Sequence, residues 1–162
     1  MTSSRFVYVT YIRTTPEKLW QALVEPEFTR QYWVECWQDC QWKVGSSWKL
    51  MIPDGRVADS GKVVEIDPPK RLVLSWRNEF RPELHEEGYS RATFEIEQLK
   101  ESVKLTVTHE IDRPGSKLIG AVSNGWPMIL ASLKSLLETG SSLVETREWN
   151  FRQCATEKAA QG

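Results

Sequence analysis

Alternating apolar and polar positions run through the middle of the chain and predict antiparallel strands. The clearest case is residues 103–111, where the odd-numbered positions are apolar or histidine and the even-numbered positions are polar. Four further segments, residues 48–52, 61–66, 71–77 and 89–97, are also predicted to be strands. Because successive side chains of a strand point to opposite faces, the pattern predicts a sheet with one dry face and one solvated face.

An alternating run at the start of the chain ends where Pro16 begins a short helix. Proline is tolerated in the first turn because its missing N–H would have no intrahelical partner there. Thr15 is placed to cap this helix. Leu19, Trp20 and Leu23 share one helical face, so the helix must dock against another part of the protein. A second short helical turn is predicted over residues 28–33.

A longer apolar stripe near the C-terminal end recurs at spacings of three and four and predicts an amphipathic helix. Its members are Val122, Trp126, Ile129, Leu130, Leu133, Leu136 and Leu137. Pro127 lies inside the stripe, so the helix should kink or begin near Asn124-Gly125. Glu138-Thr139-Gly140 ends it, which gives about 15 residues and a length of about 22 Å.

Polar and turn-forming residues separate these elements. Residues 78–88 are predicted to form a mobile loop, and Asp54-Gly55 and Asp59-Ser60-Gly61 are predicted to be turns. Residues 1–140 are expected to make one domain. The polar residues 141–162 are expected to form a tail that is partly ordered at best.

Composition and charge narrow the classes of partner. The 162 residues carry a formal net charge of −1 and no long basic cluster, so neither nucleic acid nor a membrane surface is an expected partner. No apolar run approaches the ~20 residues of a membrane helix, and the first residues lack a signal-peptide hydrophobic region. A cytoplasmic location is therefore expected. The three cysteines are interpreted as reduced thiols, and no metal site or cofactor is predicted.

Eight tryptophans are the unusual feature of the composition. Each has a large apolar body and one N–H donor. Large flat side chains around a ligand cavity would explain the excess, and so would an aromatic-rich core. The sequence leaves both interpretations open.

Three motifs resemble the START-like (SRPBCC) superfamily, in particular its branch related to the activator of Hsp90 ATPase. They are the opening T-T-P-E-K-L-W-Q-A-L with Trp33 after it, the segment G-K-V-V-E-I-D-P-P-K-R-L-V-L-S-W, and K-L-T-V-T-H-E followed by N-G-W-P-M-I-L-A-S-L. Together they cover about residues 6–139, nearly the whole predicted domain.

The resemblance implies an α+β helix-grip fold. A curved antiparallel sheet of six or seven strands would wrap around a long C-terminal helix, with two short helices between strands one and two. It also implies a cavity between sheet and helix for a small hydrophobic ligand, either lipid-like or polycyclic and aromatic. A protein partner, as in chaperone assistance or stress response, stays open as an alternative, and so does an enzyme of cyclase or dehydratase type.

No complete catalytic set is evident in the sequence, which favours a binding protein over an enzyme. His85 lies among acidic residues in a polar stretch and is interpreted as solvated. His109 falls on the dry face, where a histidine must be hydrogen-bonded. It is a core residue bonded to backbone, an anchor for a ligand carbonyl or hydroxyl, or a general acid. Glu110 faces the opposite side of the strand and is not its partner.

The candidate ligand-binding residues are large side chains on inward-facing positions, for which ordinary core packing is the alternative. Trp76 and Trp126 are expected to line the cavity, and Trp33 and Trp48 its mouth. The remaining candidates are Leu74, Phe94, Leu105, Val107, His109 and Leu130. No catalytic or metal-binding residue is assigned.

Overall fold

The computed structural model describes residues 3–149. Its elements in chain order are β1 (Ser4–Ile12), α1 (Pro16–Val24), α2 (Pro26–Tyr32), β2 (Trp37–Cys40), β3 (Ser47–Met51), β4 (Val57–Asp67), β5 (Arg71–Asn78), α3 (Pro82–His85), β6 (Ser90–Gln98), β7 (Val103–Ile111), α4 (Lys117–Thr139) and a 3₁₀ turn (Val144–Thr146). No helix among these described residues is long and apolar enough to cross a membrane.

The seven strands of the described chain form one antiparallel sheet in the order β1-β7-β6-β5-β4-β3-β2. The alternation in β7 has the predicted effect: Leu105, Val107 and His109 are buried, whereas Lys104 and Glu110 stay partly exposed. Helix α4 packs across the buried face, and α1 and α2 lie between β1 and β2. The predicted helix-grip arrangement is confirmed.

The start of α1 follows the predicted capping pattern. Thr15 Oγ1 accepts a hydrogen bond from the backbone N–H of Lys18 at 3.2 Å, and Pro16 occupies the first turn. Leu19 and Leu23 are buried. The helix is therefore fixed by a local cap at one end and by its apolar face against the core.

Helix α4 begins earlier than the sequence predicts. It runs from Lys117 to Thr139, 23 residues with Pro127 inside, and spans about 34 Å. Ser116 caps it by accepting the N–H of Ile119 at 3.1 Å. The carboxylate of Glu87 also accepts the N–H of Lys117 at 2.8 Å, so a residue from a distant loop extends the helix start. The predicted end is correct, because Gly140 adopts φ 86° there.

The predicted turn at Asp59-Ser60-Gly61 is wrong, because all three residues lie within strand β4. Gly61 is required by a close approach between strands. A Cβ added at this position would lie 1.8 Å from the backbone oxygen of Ser75 in β5. Glycine is the residue that fits such a contact without displacing the neighbouring strand.

The segment predicted to be a mobile loop contains helix α3. Its Leu84 is buried, and the backbone N–H groups of Phe80 and Arg81 bond to Asn78 Oδ1 at 2.9 and 2.7 Å. His85 pairs with Glu79 at 3.3 Å and remains half-exposed. An apolar anchor and local hydrogen bonds thus order a stretch whose composition suggested mobility.

Part of the predicted tail packs on the domain. Thr146 Oγ1 donates to Ser132 Oγ of α4 at 2.6 Å, and Val34 N–H donates to the carbonyl of Thr146 at 2.7 Å. The rest of the predicted tail, residues 150–162, lies outside the described residues.

Candidate ligand-binding cavity

A cavity of about 180 Å³ lies between the sheet and helix α4. It opens beside Gly125, which lines it and is exposed. The walls come from β3, β4, β5, α3, α4 and the end of α2. The lining residues are Trp33, Leu50, Asp59, Trp76, Asn78, Leu84, Leu118, Ala121, Val122, Gly125, Trp126 and Ile129.

Three tryptophans from three different elements form the aromatic part of the wall. The ring centroids of Trp33 and Trp76 are 6.3 Å apart with nearly parallel planes. Trp126 meets Trp33 edge-on at 5.4 Å and Trp76 at 5.5 Å. Offset and edge-to-face contacts of this kind are favourable arrangements for aromatic rings. The three rings therefore support one another and present a preformed apolar surface to the cavity.

Local backbone geometry sets the position of Trp33. The residue caps the C-terminal end of α2, and Val34 and Glu35 follow with φ of 43° and 63°. Positive φ is unusual for a β-branched residue such as Val34. It is held there by the hydrogen bond from its N–H to Thr146, so the chain reverses directly after Trp33.

Asp59 places a carboxyl group in this largely apolar wall. The side chain is only 8% exposed, and its Oδ1 accepts hydrogen bonds from Trp76 Nε1 at 2.9 Å and Asn78 Nδ2 at 3.3 Å. Burial raises the pKa of Asp59 to about 7, and the charge of Glu79 adds to this, although the two hydrogen bonds act in the opposite direction. At neutral pH the carboxyl group is therefore present in both protonation states, which is uncommon for an aspartate.

His109 lies in a chain of hydrogen bonds beneath the aromatic cluster. Trp126 Nε1 donates to His109 Nδ1 at 3.1 Å, and His109 Nε2 lies 2.8 Å from Ser90 Oγ, which donates to the carbonyl of Trp76 at 2.7 Å. Because Nδ1 accepts, we assign the neutral tautomer with the proton on Nε2. Burial lowers the pKa of His109 to about 3, so the ring is neutral at pH 7.

Both ring nitrogens of His109 are thus occupied by protein groups, and the residue does not line the cavity. Its partners are side chains, whereas the core interpretation of the sequence expected backbone. Glu110 faces away as predicted and pairs with Arg5 at 3.5 Å.

The structure brings three of the ten candidate residues to the cavity: Trp33, Trp76 and Trp126. The other seven pack in the core behind its wall, namely Trp48, Leu74, Phe94, Leu105, Val107, His109 and Leu130. Trp48, expected at the mouth, is completely buried because its N–H bonds to Gln38 Oε1 at 2.9 Å and its ring packs 4.4 Å from Trp76. Phe94 lies behind the wall, edge-on to Trp126 at 5.7 Å.

Nine of the twelve lining residues were not among the candidates, and Asp59 is the one of these nine with an ionisable side chain. Its neighbours Ser60 and Gly61 have a turn-forming composition, so the sequence predicts that the strand begins at Gly61, whereas it begins at Val57. Extending the alternation backwards from the buried Val63 through Gly61 would have placed Asp59 on the inward face. The period of two was the available signal, and the turn-forming composition concealed it.

Comparisons with known proteins agree with the fold. The model of the family described as "Activator of Hsp90 ATPase homolog 1-like protein" matches residues 13–138. A comparison with curated proteins gave no match.

Among solved structures, protein MLL2253 from Mesorhizobium loti has a TM-score of 0.70 and 25% identity, covering 83% of this chain and 96% of that one. PFC0360w, described as an HSP90 activator from Plasmodium falciparum, has a TM-score of 0.66 and 25% identity over 85% and 96% of the two chains. The Aha1 dimer from Colwellia psychrerythraea has a TM-score of 0.66 and 21% identity over 85% and 98%. These likenesses agree with the seven-stranded sheet and long C-terminal helix described above.

Proposed function

The chain belongs to the family of activator of Hsp90 ATPase homolog 1-like proteins, and on this premise we propose that it binds a small aromatic molecule in the cavity between its sheet and helix α4. The observation that carries the proposal is a preformed apolar cavity with a wall of three mutually packed tryptophans.

The volume of the cavity sets the size of the ligand. A buried apolar cavity of about 150 Å³ accommodates benzene, whereas pockets for drug-sized ligands measure about 300–1,000 Å³. The cavity of about 180 Å³ therefore suits a molecule with one or two rings. This is smaller than the lipid-like or polycyclic ligands that the sequence resemblance implied, and larger members of that class would need the cavity to widen.

A titration with neutral aromatic compounds of increasing size tests the proposal. We expect ethylbenzene and naphthalene to bind with a saturable change in tryptophan fluorescence, because Trp33, Trp76 and Trp126 line the site. A tetracyclic steroid should bind far more weakly. The proposal would be contradicted if none of the one-ring and two-ring compounds showed saturable binding.

Two glycines of α4 provide a matched pair of variants for this titration. A Cβ added at Gly120 or at Gly125 would meet no atom within 4 Å, but only Gly125 lines the cavity. Gly125→Leu should fill the opening and abolish ethylbenzene binding, while Gly120→Leu should leave binding unchanged. Both variants should keep the fold, since leucine has a higher helix propensity than glycine by about 1 kcal/mol. Equal binding by the two variants would place the ligand elsewhere.

A second candidate function is interaction with a chaperone of the Hsp90 class. It is favoured by the likeness to PFC0360w, described as an HSP90 activator, and by three exposed apolar side chains on the edge strand β1. Val7, Val9 and Tyr11 are 47%, 43% and 50% exposed. Addition of the protein to purified Hsp90 should then raise its ATPase rate, and Val7→Ser with Val9→Ser should reduce the effect. An unchanged ATPase rate would count against this candidate.

A further inference from the structure

The cavity contains one acidic group that no protein cation balances. Among its twelve lining residues, all of them described, Asp59 is the only ionisable side chain. Its Oδ1 accepts both hydrogen bonds made to the carboxyl group, from Trp76 and Asn78. No described residue bonds to Oδ2. Asp59, a residue that is only 8% exposed, therefore offers one carboxyl oxygen to whatever occupies the cavity.

The charges around Asp59 are of the wrong sign to compensate for it. Glu79 is the charged neighbour that acts on it, and it too is acidic. The basic groups nearby are engaged with Glu79: Arg77 Nε lies 2.8 Å from its Oε1, and His85 Nε2 lies 3.3 Å from its Oε2. The wall residues from β3, β5, α3 and α4 are uncharged. The local potential therefore favours a positively charged ligand group.

We propose that Asp59 binds the ammonium group of a small aromatic amine, with the apolar part of the amine against Trp33, Trp76 and Trp126. The inference rests on the proposed function and narrows its ligand class. An ammonium N–H would donate to the free Oδ2 and supply the counter-charge that a buried carboxylate needs. Tryptophan faces also attract cations, which adds to the preference.

Other polar head groups fit the site less well. A carboxylate ligand would bring a second negative charge against Asp59 in the cavity, and like charges in a desolvated site repel strongly. A hydroxyl group donates one hydrogen bond to Oδ2 but brings no charge. The expected order of affinity is therefore amine, then alcohol and hydrocarbon, then acid.

Three probes of nearly identical shape test the predicted preference for an amine over an alcohol and a hydrocarbon: benzylammonium, benzyl alcohol and ethylbenzene. Calorimetric titration of the wild-type protein at pH 8 should show benzylammonium binding at least about tenfold tighter than the other two, as expected for a charge-assisted hydrogen bond. Asp59→Asn keeps the shape of the side chain and removes its charge. This variant should lose about tenfold or more in benzylammonium affinity and keep its ethylbenzene affinity. Asp67→Asn, an exposed carboxylate on the same strand, is the matched control and should change neither.

The outcomes separate the two proposals. Ethylbenzene binding as tightly as benzylammonium, or benzylammonium affinity unchanged in Asp59→Asn, overturns the amine assignment and leaves the aromatic site standing. Binding of none of the probes overturns both.

The wild-type protein gives a second measurement that does not depend on the folding of Asp59→Asn. Benzylammonium affinity should fall as the pH is lowered from 8 to 5, because protonated Asp59 no longer offers a charge, and ethylbenzene affinity should stay constant. His85→Gln changes the imidazole that pairs with Glu79 and should retain the pH dependence. The same pH dependence for both probes would overturn the assignment of Asp59.

Discussion

Replacing Asp59 with asparagine should change how the stability of the protein depends on pH. The folded-state pKa of this carboxyl is about 7, raised mainly by burial, against an ordinary value of 3.8. The folded state therefore binds more protons than the unfolded state between these two values. By linkage, the contribution of Asp59 to stability is full below about pH 3.8 and is lost as the pH rises through 7.

The size of the effect follows from the interval between the two pKa values. Each pKa unit corresponds to about 1.4 kcal/mol, so about three units give about 4 kcal/mol between pH 4 and pH 7. Asparagine does not titrate, and its side-chain oxygen can still accept the N–H of Trp76. The unfolding free energy of Asp59→Asn, minus that of the wild type, should therefore rise by about 4 kcal/mol over this pH range.

Urea unfolding at pH 4, 5, 6 and 7, followed by far-ultraviolet circular dichroism, measures this difference. Asp67→Asn removes an exposed carboxylate from the same strand and should show a nearly constant difference from the wild type. A constant difference for Asp59→Asn as well would contradict this prediction, because it would mean that Asp59 ionises as easily in the folded protein as in the unfolded chain.

Three further changes test other parts of the structure. His109→Leu should lower the unfolding free energy by about 1 to 3 kcal/mol in chemical denaturation, because the buried Trp126 N–H loses its acceptor. Burial also lowers the pKa of His109 to about 3 in the folded protein, against an ordinary value of 6.5. The contribution of neutral His109 to stability is therefore full above pH 6.5 and is lost as the pH falls through 3. His109→Leu should lack this loss of stability in acid. Gly61→Ala should lower the unfolding free energy by about 3 kcal/mol or more in the same assay, whereas Gly120→Ala should raise it by about 0.5 to 1 kcal/mol. Equal effects of the two substitutions would contradict the close strand contact at Gly61. Glu87→Gln should cost about 1 kcal/mol at pH 7. Burial alone would raise the pKa of Glu87, but hydrogen bonds from Ser116, Lys117 and Leu118 outweigh burial and lower it. The cost of Glu87→Gln should therefore disappear as the pH falls through this lowered pKa. A cost that stays constant with pH would contradict the capping role.

Most of the fold could be predicted from local signals in the sequence. The period of two in β7 and the Thr15-Pro16 start of α1 depend on neighbouring residues alone, and both agree with the structure. The predicted bounds of an element were wrong where a residue distant in sequence contributes to the local structure. Ser116 supplies a local cap for α4, but Glu87, about thirty positions earlier, also binds the helix start, and this second contact could not be inferred from the local sequence.

The cavity was harder to predict because its wall and the core behind it have the same composition. Leu74, Leu105 and Leu130 face inward as predicted, yet they pack in the core, whereas Leu118 and Ile129 reach the cavity. Inward direction follows from periodicity, but the depth of a side chain depends on how α4 sits on the sheet. The excess of tryptophans indicated the cavity better than the inward-facing leucines did, although tryptophans also form part of the core. Trp33, Trp76 and Trp126 line the cavity, whereas Trp48 packs in the core.

Ligand binding in the cavity is tested most directly by a two-dimensional NMR titration of the tryptophan indole N–H signals with benzylammonium and ethylbenzene. We expect saturable shifts at Trp33, Trp76 and Trp126, with Trp76 most affected by benzylammonium because its N–H bonds to Asp59. Saturable shifts confined to tryptophans away from the cavity, such as Trp37, or no shifts at saturating probe, would contradict binding in the cavity.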